Sequence, residues 1–220
     1  TTFRPPYTPV AYGALAGRDI GALADPVRFT PMHDWHESAG AVFENVGQWK
    51  RAFYYPRPGE DKHAAVQREA RVARESVALL DASTLGKIEI KGAGAVELLN
   101  LVYTNAWNKL AVGRCRYGLM LGEDGMVFDD GVTARLANDH YLMTPTTGNA
   151  ARVLAWMEDC LQCEWPKIPV SLTSVTTQWA TVAVSGPNAR ALLTALVENI
   201  DLDGEAFPHM AVRSGHVAGM

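Results

Sequence analysis

Asp129 and Asp130 stand side by side just after the turn Gly122-Glu123-Asp124-Gly125, and carboxylates are among the groups that general acid–base chemistry uses. Side chains alternate between the two faces of a strand. Strict alternation from Met126 puts Phe128, Asp130, Val132, Ala134 and Leu136 on one row, and Val127, Asp129, Gly131, Thr133 and Arg135 on the other. Asp130 is then the only ionisable group on an apolar, core-facing row, and Asp129 lies on the polar one. Burying a carboxylate is costly unless it is paired, and desolvation favours its neutral form. Two readings follow. Asp130 is a functional acid, binding a cationic or N–H-rich ligand, or it is a structural acid satisfied by backbone amides or by Arg114 or Arg116. Gly131 beside it allows a backbone or a flat ligand to approach closely.

Other constellations carry less. Cys160-x-x-Cys163 is a single pair with Cys115 the only further thiol, too few for a zinc site of about four ligands. Gly92-Ala-Gly94 begins like a dinucleotide fingerprint, but Glu97 holds the third glycine position, and the preceding strand is amphipathic rather than fully buried. His33-Asp34-Trp35-His36-Glu37 lacks the HExxH spacing and a third ligand, which favours a hydrogen-bonded cluster over a metal centre. Trp49, Tyr54 and Tyr55 are aromatics of the kind more often used as core than as a stacking platform. No GxSxG element marks a hydrolase.

The elements that must position these residues alternate hairpins with helices. Residues 20–60, rich in Trp, Tyr, Phe and Pro, read as packed loops after a proline-bearing strap (Pro5, Pro6, Pro9). Val66, Ala70, Ala73, Val77 and Leu80 form one helical stripe from about Lys62 to Leu80. Lys87 to Lys91 alternates as a short strand, and Ala95, Leu98, Leu99 and Val102 form the next helical stripe. Arg116 to Leu121 and Met126 to Leu136 flank an Asp-Gly turn, a strong hairpin signal, with His140 to Thr144 as a third strand. Asn149 caps a helix carrying Val153, Trp156, Met157, Cys160 and Leu161. Trp179 to Val184 reads as a strand, and Gly186-Pro187 opens a helix with Leu192, Leu193 and Leu196 inside. Mixed hairpins and helices predict an α+β fold with antiparallel sheets.

Composition bounds the function. The chain has 220 residues, 48% apolar and 20% charged, with a formal net charge of −4. That excludes a disordered chain and gives no basic footprint for nucleic acid. No window reaches the ~18–20 apolar residues a membrane span needs. Three cysteines do not make a disulfide framework, so a reducing, cytoplasmic setting is expected.

Taken in order, these segments resemble the folate-binding aminomethyltransferase (glycine cleavage T-protein) superfamily. The matching pieces are Thr30-Pro-Met-His-Asp-Trp-His36 with Gly40-Ala41, Leu80-Asp-Ala-Ser-Thr-Leu-Gly-Lys-Ile88 with Lys91-Gly92, and Tyr103-Thr-Asn105. Gly113-x-x-x-Tyr117, Gly125-Met-Val-Phe-Asp-Asp130 and Val184-Ser-Gly-Pro-Asn-Ala189 complete the series. Within it, the strap Thr2–Val10 and Ala82-Ser-Thr-Leu-Gly-Lys87 are similar to the branch of heterotetrameric sarcosine oxidase α subunits. The resemblance implies that Asp130 is the catalytic aspartate and that Tyr117, Leu85, Asp130 and Thr146 bind folate, Tyr117 and Leu85 lining the pterin pocket and Thr146 standing where the transferase branch carries Asn. It implies tetrahydrofolate as the bound small molecule, flavin and NAD elsewhere in the complex, and other oxidase subunits as partners. Residues 1–27 are then a linker and 28–220 the first part of a folate-binding region about twice this size. The family's later folate-holding glutamate and arginine would fall beyond Met220. Alternatives are a free-standing aminomethyltransferase working on a lipoyl-linked carrier, against which Thr146 and the strap argue, and a non-catalytic docking module.

Overall fold

The computed structural model describes residues 27–219; the strap falls almost wholly outside the described residues. The chain opens with β1 (Arg28–Phe29), α1 (His33–Ser38), and a hairpin of β2 (Val42–Val46) and β3 (Trp49–Tyr54). β3 lies between β2 and β1, antiparallel to the first and parallel to the second. The stretch expected to be loops is therefore partly a small sheet; its strands are short and their pattern is broken by a register shift at Val42/Phe43, which hides the alternation. Then come α2 (Lys62–Glu75) and β4 (Ala78–Asp81). The Asp61 side chain caps α2 by accepting from the Ala64 N–H at 2.8 Å. The helix ends at Glu75, short of the expected Leu80, because Ala78–Asp81 pair instead with β10 (Val182–Ser185).

The remaining elements build the main layer. β5 (Ile88–Lys91), α3 (Ala95–Val102), β6 (Arg114–Leu121), β7 (Val127–Ala137), β8 (His140–Pro145), α4 (Ala150–Cys163) and β9 (Ser171–Ser174) follow in order. Their strands form one antiparallel sheet in the order β6-β7-β8-β5-β9. After β10 come α5 (Ala189–Thr194) and the short pair β11 (Val197–Glu198) and β12 (His216–Val217). The α+β architecture with antiparallel sheets is as the patterning predicts.

Helices α3 and α4 cover one face of this sheet. Leu98, Leu99 and Val102 from α3 and Val153 and Met157 from α4 pack with Ile88, Ile90, Met120, Tyr141 and Met143. Burying large aliphatic side chains of this kind stabilises by roughly 1.5–3 kcal/mol each. Among the described residues nothing covers the opposite face along β6, where Tyr117, Leu119 and Leu121 are exposed.

Gly131 sits in β7 opposite Pro145 of β8, with the β8 backbone close beside it. A Cβ there would lie 2.1 Å from the Thr144 carbonyl oxygen, which is backbone and cannot swing away. Gly131→Ala is expected to cost about 2 kcal/mol, within the range for overpacking; the midpoint of urea unfolding measures it, and an unchanged midpoint would refute the close approach.

Candidate functional site

The register of the β6–β7 hairpin decides where the two aspartates point. Leu119 lies opposite Asp130 and Met120 opposite Asp129, but Leu121 lies opposite Val127. Phe128 is therefore an extra residue, a β-bulge. Bulges re-aim the side chains that follow them. Phe128 turns toward α4, with its ring centroid 5.2 Å from that of Trp156 and the Arg152 guanidinium 4.5 Å above it. Asp129 then faces the helices as well, and Asp130 faces away from them. The alternation read from Met126 is corrected accordingly: Asp129 is the buried acid, and Asp130 is half-buried on the uncovered face.

Asp129 is fully committed to structure. Its Oδ1 accepts from the Thr146 hydroxyl at 2.5 Å and from Asn149 Nδ2 at 3.3 Å, and its Oδ2 accepts from the Thr146 N–H at 3.2 Å. Asn149 also donates to the Phe128 carbonyl at 2.8 Å. So Asn149 stands at the N-cap position of α4, as expected, but its side chain ties the helix to the hairpin instead of capping it. A carboxylate accepting several charge-assisted hydrogen bonds is a strong local fastening.

Asp130 has a different neighbourhood. Its Oδ2 accepts from the Tyr117 hydroxyl, diagonally across the hairpin. Neither arginine weighed as its partner reaches it: Arg114 donates to the His209 carbonyl and Arg116 to the Ala106 carbonyl. Around the pair lie Leu119 and Val132, with Tyr117 47% exposed, so this is an open apolar face holding one acid and one phenol. The hydrogen bond to Asp130 and, after it, burial hold the Tyr117 phenol above its ordinary value, so it stays a donor at neutral pH. Such a face can take a flat ring, with the carboxylate accepting the ring's N–H groups and the apolar side chains beneath it.

The other expected site residues arrive by different routes. Thr146 is brought beside the hairpin, but its hydroxyl is spent on Asp129 and not on Asp130. Leu85 is half-buried in the turn before β5; its neighbour Gly86 donates to the carbonyl of Pro145, which pairs with Gly131 next to Asp130. The hydrogen-bonded cluster expected at His33–Glu37 forms around His36, but sequence reasoning missed that it is buried and reaches Tyr55 and Asp81. His36 is buried, with Nδ1 2.5 Å from the Tyr55 hydroxyl and Nε2 2.9 Å from Asp81 Oδ2. Lys87, taken as the polar start of a strand, is also buried. The signal available for it was that Asp81 and Lys87 bracket a short turn, which periodicity does not weigh.

His33 and Glu37 meet at 3.4 Å on one face of α1, and among the described residues no three His, Cys, Asp or Glu side chains are placed to hold a metal. Cys160 and Cys163 are free thiols, held above their ordinary values by burial at Cys160 and by the Asp159 charge at Cys163. A Cβ at Gly92 would lie 2.4 Å from the Pro169 carbonyl oxygen, so that glycine serves a backbone approach and not a phosphate. Among the described residues no helix is long and apolar enough to cross a membrane.

Comparison with known proteins adds four findings. The family described as "GCVT N-terminal domain" matches residues 32–220. Sarcosine oxidase subunit alpha of Corynebacterium sp. (strain P-1) is 61% identical over 211 residues, covering 96% of this chain and 22% of that protein. The protein of the same description from Rhizobium meliloti (strain 1021) is 48% identical over 220 residues, covering 100% and 22%. The crystal structure of the glycine cleavage system aminomethyltransferase T from Bartonella henselae superposes with a TM-score of 0.67 at 26% identity, covering 77% of this chain and 43% of that one. The chain thus spans about a fifth of the length of these sarcosine oxidase subunits.

Proposed function

The chain belongs to the GCVT N-terminal domain family, and from that premise we propose that it is part of the folate-binding region of a sarcosine-oxidising α subunit, with residues 28–220 forming the first part of that region. The observation that carries this reading is the Tyr117–Asp130 pair set in an uncovered apolar sheet face. Tetrahydrofolate is the substrate proposed for it, taking the one-carbon unit of oxidised sarcosine and leaving glycine and 5,10-methylenetetrahydrofolate. Flavin, held elsewhere in such a complex, supplies the two-electron oxidation that precedes this step; NAD likewise belongs to another part.

Asp130 does two things in this reading. Its carboxylate accepts the N–H groups on the amine side of the pterin, which orients the ring against Leu119 and Val132. It then takes the proton that leaves the attacking folate nitrogen as the new C–N bond forms, and passes it on toward the departing glycine amine. Tyr117 donates to Asp130 Oδ2 and so fixes which carboxylate oxygen faces the substrate. Leu85 supplies an apolar wall from the turn before β5. Thr146 acts through Asp129, holding the hairpin in register beneath the site.

Calorimetry of tetrahydrofolate binding by the intact α subunit tests this. Binding is expected, and Tyr117→Phe should weaken it by about threefold to tenfold, the value of one lost hydrogen bond. An intact subunit that binds no tetrahydrofolate would overturn the reading and favour a docking module.

A further inference from the structure

The stretch 81–87, which joins β4 to β5, folds back on itself and is locked at both ends by buried charges. At one end Asp81 Oδ1 accepts from the Ser83 N–H at 2.9 Å, while Oδ2 meets His36 Nε2 at 2.9 Å. Burial works against the Asp81 charge, but hydrogen bonds from Ser83, Thr30 and His36 more than offset it and hold the carboxyl below its usual value. At the other end Lys87 is 2% exposed, and its Nζ donates to the Ser83 carbonyl at 2.9 Å and the Ala82 carbonyl at 3.3 Å. Burial pulls the Lys87 ammonium below its ordinary value, and the Asp81 charge opposes that pull. A buried ammonium is costly, and here its hydrogen bonds go to the backbone of one turn.

That turn stands beside the proposed site. The Leu85 N–H closes back onto the Ala82 carbonyl at 3.1 Å, and the Gly86 N–H reaches the Pro145 carbonyl at 3.0 Å. Thr84 and Thr147 meet through their hydroxyls at 3.1 Å. Pro145 pairs with Gly131, the residue after Asp130. The turn is therefore packed onto the corner that ends β8, one strand across from the acid.

We propose that Lys87 is a positioning residue for the folate site: by holding the Ala82 and Ser83 carbonyls it sets where Leu85 stands relative to the Pro145–Thr147 corner and Asp130. This rests on the folate reading above. An apolar side chain of the same length would fill the space but leave the Ser83 carbonyl without its donor and the Ala82 carbonyl with the Leu85 N–H alone, so the turn would be held less firmly. The hairpin carrying Tyr117 and Asp130 would keep its register, since its fastening runs through Thr146 and Asn149. Loss of Lys87 should therefore cost binding and spare the proton transfer.

The test uses the full complex. Lys87→Met is expected to raise the tetrahydrofolate Kd and the folate KM by about tenfold, with kcat at saturating folate within about twofold of wild type. Lys87→Arg, which keeps a cationic donor, should recover part of the loss. As a measurement that needs no variant, adding tetrahydrofolate to the wild type should slow amide exchange at residues 83–86. A Lys87→Met complex with unchanged Kd and KM, or a kcat that falls in step with affinity, overturns the positioning role. So does unchanged exchange at 83–86 in a wild type that binds folate. A wild type that binds no folate overturns the underlying reading instead.

Discussion

Replacing Asp130 by Asn in the complete oxidase complex should lower folate-coupled product formation by about 10²–10⁴-fold, the range of a lost general base. The asparagine keeps the size of the side chain and still accepts from the Tyr117 hydroxyl, but it cannot take a proton. Sarcosine oxidation itself, which this chain does not perform in the proposed scheme, should continue and release its one-carbon unit uncoupled. Folding should hardly notice. Asp130 lies on the open face, and substitutions away from buried networks usually change stability by no more than ~0.5 kcal/mol. Product analysis with and without tetrahydrofolate reads the first effect. Coupled product formation at the wild-type rate would remove Asp130 from the chemistry.

The residue next to it should behave in the opposite way. Asp129→Ala leaves the Thr146 hydroxyl, the Thr146 N–H and the Asn149 amide without their shared acceptor in a buried place. The expected loss is about 3 kcal/mol of stability, since hydrogen bonds to a charged group count for roughly 1.5–3 each and stranded buried donors add their own cost. Asp129→Asn retains one acceptor and should lose less. Denaturant unfolding measures both, with the Asp130→Asn protein as the control. Equal destabilisation by the two neighbouring substitutions would mean that Asp129 is not the acid that fastens the hairpin to α4.

Much of the frame is legible in the residues alone. Gly122-Glu-Asp-Gly125 announces the hairpin, the alternation of Ile88 and Ile90 gives β5, and the stripes of α3 and α4 are on the core face where their periodicity puts them. The acid singled out on the hairpin is the one beside Tyr117. Strict alternation puts it on the wrong row, because period-2 counting carries no information about an inserted residue, and Phe128 shifts every side chain before Asp129 relative to those after it. Leu79 and Leu80 illustrate a second limit. Leu80 continues the stripe of α2, yet its partner Ala183, like Val184 opposite Leu79, lies about a hundred positions away, and a non-local pairing outweighs a local stripe. Lys87 is the third case: a lysine between apolar residues reads as surface, and only the folded turn shows the carbonyls that hold it inside.

The Phe128 bulge also divides what selection can act on. Alternation along β7 puts Asp129 and Asp130 on opposite faces, and the bulge decides that Asp129 is the one that meets the helices, so the two neighbours answer to separate demands. A descendant that kept Asp129, Thr146 and Asn149 while losing Asp130 and Tyr117 would retain the scaffold and abandon the reaction. On the proposed function, those five positions would serve as a sequence diagnostic, telling a working copy of this domain from one retired to a purely architectural role.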